Sequence, residues 1–411
     1  MARYFNQKKK HVKQNYNNDN VDRWNYSKSG TKNSHIFRNE NYPNRIGHRP
    51  SPNVHHTSDK FIPIYASDER LDDESLRYFT RVFERVKSGF DNEEEKEIFV
   101  ENVSEQTEGK EVMLSRSKLG SFCMELLLKL GCSEEVIVRF MEAFGSDLRL
   151  VCTHHFASHV VQSLVTAGVQ HIQKFHHESE ESTNKRDDDE EPTAEEDKSG
   201  TIINWIIKLC KFCLNNMDEF ITDIYACYIL RTLLEAVAGY RVPENIARCE
   251  KQSKKKKKYL QHTLKGVTPN SPPLNYTVPQ KFLDILKLFA ENVTKREDLQ
   301  EWIQSKKASP VLQTLLLVLQ KRHMKMCQKL VKVIIKQAFH GADDEGLPAL
   351  LTSDSGSHFA EILLMVACEK YQKRLWNKYL KGHLVQLTRH FFANFVVQKL
   401  LEFVKSKEQV V

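Results

Sequence analysis

The sequence predicts an all-α protein built as a solenoid of stacked helical repeats. Three observations carry that expectation. A nine-residue pattern occurs six times: a small residue, Ser/Cys/Asn, any residue, two apolar residues, Glu/Gln/Arg, any residue, Leu, and Leu or Val. Its first and last spacings are equal, at 37 residues from Ser121 to Ser158 and from Ser357 to Asn394. Glycine is scarce, at 15 of 411 residues, and charged residues make up 28%, which suits helices. Repetition at tens of residues means that each unit buries its apolar face only against its neighbours.

Residues 1–65 are rich in Asn, Lys, His, Ser and Tyr and have little apolar periodicity, so they read as a disordered basic arm. Helical periodicity begins at Leu71, with Leu76, Phe79, Val82, Phe83 and Val86 at helix spacing behind the acidic start Asp72–Glu74. A second acidic stretch, Asn92–Asn102, carries Ile98 and Phe99. Together they are expected to cap the array or to form a degenerate first repeat. The array itself is assigned to residues 66–411.

The six copies are Gly120–Leu128, Ala157–Val165, Ala226–Leu234, Ala308–Leu316, Gly356–Leu364 and Ala393–Leu401. The three inner spacings, 69, 82 and 48 residues, exceed the period. Insertions at about 173–199 and 241–278 account for the two largest. The first holds the acidic run Glu178–Asp197, the second Lys254–Lys258 and a Pro-bearing stretch, and both read as disordered. The acidic run suits a solvated loop, a competitor for a basic groove, or a site for a basic partner; the lysines suit a nuclear signal or phosphate contacts. Between copies, Ile202–Leu214, Phe282–Phe289 and Met324–Ile335 read as buried first helices of their repeats. Nothing polar caps the array after Leu401, so it is expected to be incomplete at its C-terminal end.

Within the last copy, Val396, Val397, Leu400 and Leu401 form one apolar stripe, while Asn394 and Gln398 sit one turn apart on another side. The small first residue is expected to let neighbouring helices approach closely. The polar pair recurs with restricted chemistry: Ser121/Glu125, Ser158/Gln162, Cys227/Arg231, Ser309/Gln313, Ser357/Glu361 and Asn394/Gln398. The residue after the first member is Phe122, His159, Tyr228, Pro310, His358 or Phe395, and all but Pro310 can stack on a base. Two side chains on a base edge and one stacking is how helical repeats read single-stranded RNA.

Other chemistry fits less well. Cys210 and Cys213 stand alone inside an apolar helix and read as buried thiols. His155 and His159 are four apart without the glutamate a zinc protease needs. Neither a phosphate-binding glycine loop nor a nucleophile elbow occurs, and no apolar run reaches 18 residues. No catalysis, metal, cofactor, small-molecule substrate or membrane contact is therefore expected. The nine cysteines lack spaced pairs and read as reduced thiols. The net charge of +7 is modest, so the distribution of charge matters more than its sum.

The six copies resemble the Pumilio (PUF) repeat, whose forms include Ser-x-x-x-Gln, Asn-Tyr-x-x-Gln and Ser-x-x-x-Glu. With LDDESLRYFTRVFERVKSGF at Leu71–Phe90, YACYILRTLLEAVAGYRVP at Tyr225–Pro243 and HFFANFVVQKLLE at His390–Glu402, the chain resembles the nucleolar protein nine family over residues 66–405. The resemblance implies a right-handed superhelix located in the nucleolus. It also implies binding to precursor ribosomal RNA in 18S maturation and small-subunit assembly, beside proteins of the pre-ribosomal particle. The PUF base code then implies uracil at Asn394/Gln398, guanine at Ser357/Glu361 and Ser121/Glu125, adenine at Ser158/Gln162 and Ser309/Gln313, and cytosine at Cys227/Arg231. The RNA would run antiparallel, its 5′ base at Asn394. The insertions are expected to interrupt a contiguous six-base site. Rival readings are a cytoplasmic PUF regulator of messenger RNA, or a helical scaffold for proteins.

Overall fold

The computed structural model describes residues 70–182, 194–243, 246, 276–344 and 346–403, with backbone alone for 175–182 and 194–199. The basic arm, the Asp187–Glu191 block and Lys254–Lys258 lie outside the described residues. Among the described residues there is no β-strand; Ala342 and Pro348 form an isolated antiparallel bridge.

Among the described residues one leading helix, α1 (Asp73–Ser88), precedes six three-helix units. Each unit has a long outer helix, a short connecting helix and an inner helix that carries the nine-residue pattern. The outer helices are α2 (Glu93–Glu105), α5 (Glu134–Gly145), α8 (Ala194–Asn215), α11 (Gln280–Thr294), α14 (Met324–Gln337) and α17 (Glu369–Leu375), the last prolonged by a π-turn over Trp376–Leu380. The connectors are α3 (Glu111–Ser115), α6 (Leu148–Thr153), α9 (Met217–Phe220), α12 (Leu299–Gln304), α15 (Ala349–Thr352) and α18 (Leu384–Arg389). The inner helices are α4 (Lys118–Leu130), α7 (Ala157–Ser182), α10 (Ala226–Ala238), α13 (Ala308–Arg322), α16 (Asp354–Val366) and α19 (Ala393–Glu402).

The inner helices pack side by side in chain order, α4 to α19, and from α5 onward the outer helices do the same. Between the two rows runs one apolar core, from Phe79 to Leu400. Each outer helix feeds it by period: Cys327, Leu330, Val331, Ile334 and Ile335 of α14 are all buried. Burying a Val, Leu or Ile side chain contributes about 1.5–3 kcal/mol, so two or three such residues hold a helix that would be marginal alone.

Both rows pass the insertions without a gap, because α7 packs on α10, α10 on α13, and α8 on α11. The array is therefore contiguous where an interruption was expected. The edges of the first insertion also shift, since α7 runs on to Ser182 and α8 starts at Ala194. Residues such as Gln, Lys and Glu propagate an existing helix without a new nucleus. The ends of the second insertion are fastened. Tyr276 donates its N–H to the Gly239 carbonyl (2.9 Å), and Arg322 donates to the carbonyls of Ala238, Gly239 and Tyr276. Gly239 has φ +58°, and a Cβ there would lie 2.4 Å from the Tyr276 oxygen, so glycine is required.

Where the pattern opens on glycine, the small residue has a different cause from the one expected. A Cβ at Gly120 would meet the Leu114 carbonyl oxygen at 2.4 Å, and one at Gly356 the Leu350 oxygen at 2.2 Å. The close approach is thus to the unit's own connecting helix, not to a neighbouring inner helix. Helix α1 packs on α4, burying Phe79, Val82 and Val86, and so closes the N-terminal side of the inner row.

Candidate nucleic-acid interface

The start of every inner helix is set by one device. Three residues before the small residue, a polar side chain accepts its backbone N–H: Ser117 from Gly120 (3.0 Å), His154 from Ala157 (3.4 Å), Asp223 from Ala226 (2.7 Å), Ser305 from Ala308 (3.3 Å), Ser353 from Gly356 (3.2 Å) and His390 from Ala393 (3.2 Å). In α4 and α16 the serine is the helix N-cap itself, and in the other units the same bond ties the turn that leads into the helix; each satisfies a donor that the helix leaves open. Sequence reasoning missed them because Ser, His and Asp do not look alike. The signal was present as a polar residue at a fixed offset from each pattern.

These bonds bring all six polar pairs onto successive inner helices. The two members of a pair bond each other where their lengths allow. Gln313 donates to the Ser309 hydroxyl (3.1 Å), Gln398 to the Asn394 side-chain oxygen (3.0 Å), and Gln162 to the Ser158 carbonyl (3.2 Å). The acidic members engage neighbours instead: Glu125 pairs with Lys129 (3.2 Å) and Glu361 contacts the His358 ring (3.0 Å). Arg231 reaches across to the next inner helix, where its Nε donates to the Thr314 hydroxyl (3.3 Å).

Exposure divides the pairs. Ser121, Ser158, Cys227, Ser309 and Ser357 are all buried, at 0–5%. Their longer partners are half-buried, except Glu361 at 7% and the exposed Gln398. In the last unit Asn394 is half-buried and Phe395 is exposed. A base edge meeting this face would therefore meet the Gln, Glu or Arg first. Phe122, His159, Tyr228 and His358 are half-buried. Phe122 stands edge-on to Phe83 of α1 (5.2 Å between centroids), so α1 adds an aromatic beside the first unit. Pro310 lies in the first turn of α13, where a missing N–H costs nothing, and it places no aromatic ring at that position. His155 and Tyr225 also approach across units 2 and 3, their rings 6.0 Å apart.

Cys210 and Cys213 are fully buried in α8, and burial pushes both thiols well above the usual range. Among the described residues no group of His, Cys, Asp and Glu could hold a metal ion, and no helix is long and apolar enough to cross a membrane.

A double row of three-helix units, with a short polar group, a stacking residue and a planar polar group repeated on the inner helices, defines a Pumilio-type repeat protein. The family model for the NOP9-like PUF repeat domain matches residues 109–411, and the chain belongs to that family. It is similar to Nucleolar protein 9 of Zygosaccharomyces rouxii, 27% identical over 359 residues, covering 82% of this chain and 53% of that one. To Nucleolar protein 9 of Homo sapiens it is 28% identical over 354 residues, covering 84% and 52%. The chain thus spans about half the length of these curated relatives. The fold is shared with the solved structure of APUM23-GGAGUUGACGG, at TM-score 0.57, 21% identity, and coverage of 82% of this chain and 57% of that one.

Proposed function

We propose that this chain is an RNA-binding protein of the nucleolus. Its inner row holds single-stranded precursor ribosomal RNA during 18S maturation and small-subunit assembly, in company with proteins of the pre-ribosomal particle. It binds and performs no reaction. One observation carries the reading: six polar pairs with restricted chemistry lie on one unbroken row of inner helices. Unbroken stacking is what base-by-base reading of an extended strand requires. The relatives' name supports the nucleolar setting.

Taken from Asn394 back to Ser121, the six assignments spell 5′-UGACAG. The sequence GGAGUUGACGG, paired with APUM23 in the neighbouring structure, ends in UGACGG, which differs at one base. That likeness supports the assignment of Asn394, Phe395, Gln398, Ser357, His358, Glu361, Ser309, Gln313, Cys227, Tyr228 and Arg231 as reading residues. Ser158, His159, Gln162, Ser121, Phe122 and Glu125 follow on the next two units.

The test is fluorescence anisotropy of labelled RNA with 5′-UGACAG at its centre against 5′-ACUGUC, in which every base is replaced by its pairing partner. Preference for the first by tenfold or more, at about 1–3 kcal/mol per mismatched edge, is expected. Equal binding of both would leave a phosphate-binding face without base reading.

A further inference from the structure

The outward face of the outer row carries a charge pattern that the inner row does not use. In α14 the residues opposite the buried stripe are Lys325, Lys329, Lys332 and Lys336, at i, i+4, i+7 and i+11. All four are exposed, and none has an ion pair among the described residues. They form one stripe about 16 Å long. Helix α17 buries Gln372, Leu375, Trp376, Tyr379 and Leu380 in the register of the α14 core residues. The outward positions matching Lys325, Lys329 and Lys336 are then Lys370, Arg374 and Lys381, again all exposed. The fourth is Asn377.

The two helices lie side by side. Phe339 stacks on Tyr379 at 4.3 Å, and the Tyr379 hydroxyl donates to the Ile335 carbonyl (3.5 Å). Packed helices are about 8–10 Å apart, so the cations form two neighbouring rows. Glu369 is the one acid on these two helices, and it is paired with Lys373.

The repeat architecture does not demand this charge. The same outward register is mixed in the earlier units, with Glu135 and Glu142 in α5 and Asp284, Lys287 and Glu291 in α11. The outer helix α2 is strongly acidic, with six glutamates and one lysine. The outer row therefore runs from acidic at its N-terminal side to basic in units 5 and 6.

We propose that the outward face of α14 and α17 is a second RNA site, which holds the phosphate backbone of double-helical RNA. Lysine dominates the patch, whereas interfaces between proteins are depleted of lysine. On α17 Trp376 and Tyr379 are buried and Tyr371 is half-buried, packed against the core, so no fully exposed ring on these two helices is offered to an unpaired base. A duplex turns its bases inward and presents phosphate and 2′-hydroxyl groups, which hydrated point charges suit. The proposal builds on the RNA-binding reading above, but uses a face on the other side of the core.

The test measures affinity against salt for two probes with the full chain. One probe is a short 5′-UGACAG strand; the other is a hairpin with a stem of about 16 base pairs that lacks that sequence. In a variant with Lys325, Lys329, Lys332 and Lys336 all changed to Gln, the slope of log K against log salt for the hairpin is expected to be shallower by about 3, from roughly 0.7–0.9 per lost phosphate contact. The short strand should bind as before. Lys370→Gln with Arg374→Gln should reduce the hairpin slope by about half as much. An unchanged hairpin slope overturns the proposal, as does an equal loss on both probes. So does a variant that binds both RNAs normally but loses poly-glutamate that the parent retains, since the face would then belong to an acidic polypeptide. If the parent binds the hairpin as described and ignores the short strand, the inner-row reading fails and this one stands.

Discussion

Phe395 is 38% exposed and lies between Asn394 and Gln398, so it can contribute to a ligand without contributing much to the core. Replacing it with Ala is expected to weaken RNA binding by about 1–3 kcal/mol, the usual worth of one aromatic–base stack, while the melting temperature holds. Unchanged affinity in the folded variant would remove Phe395 from the interface. Gln398→Glu should change base preference at one position, because a carboxylate only accepts where an amide also donates. A uniform loss across sequences would indicate phosphate contact instead. Glu235 of α10 behaves differently. Burial raises its pKa, an effect that Arg231 and the Val242 N–H oppose. A carboxyl raised in the folded state contributes stability at low pH and loses it as pH climbs above the ordinary glutamate range. Glu235→Gln keeps an oxygen for the Val242 N–H and removes the charge. Its melting temperature should therefore exceed the parent's at pH 7 and lose that advantage at pH 4. A variant with the parent's pH dependence would clear Glu235 of that role.

The inner helices depend on two local features, and these respond differently to mutation. Ser353 caps α16 by accepting from Gly356, so Ser353→Ala should cost about 1 kcal/mol, read by urea denaturation. Gly356→Ala drives a methyl against the Leu350 carbonyl, which belongs to backbone and cannot swing aside. A cost of about 1–3 kcal/mol is expected, although Ala occupies the equivalent place in four other units. If the Gly356→Ala variant were as stable as the parent, the connecting helix would have room to shift. These two positions also show how far the sequence could be read. The apolar stripe and polar pair of each inner helix followed from spacing alone, because helix period places residues on faces. The reason for the small residue did not follow. What it touches is a carbonyl six residues back, and only the folded connector brings that oxygen over the helix. The residues that fasten the helix starts were visible as a column of polar residues, but His154 and His390 act there through ring nitrogens, a chemistry that residue type alone does not announce. The lysines of α14 were likewise plain as a pattern, while their neighbours on α17 required the packing of two helices.

Continuity of the rows sets the behaviour of the whole array. In a stacked array each unit is stabilised by its neighbours, so a break at either insertion would leave two short arrays with separate stabilities and a divided RNA path. Close packing of α10 on α13 excludes a break at the second insertion, and Arg322 of α13 fastens its two ends to the C-terminus of α10. Among the described residues the fastening therefore comes from the array. Excising residues 247–275 should accordingly leave both the melting temperature and the affinity for 5′-UGACAG close to the parent's. The ends that remain, near Gly239 and Tyr276, already touch, and a shorter loop carries a smaller closure entropy. Arg322→Ala should do the opposite. It leaves the carbonyls of Ala238, Gly239 and Tyr276 without their charged donor, at a cost of about 1.5–3 kcal/mol, and loosens the junction between units 3 and 4. The decisive comparison is calorimetry of the two variants beside the parent. One cooperative transition in the excised chain, with a lowered or split transition in Arg322→Ala, means that the clamp joins the halves. The reverse result would give that role to the excised residues.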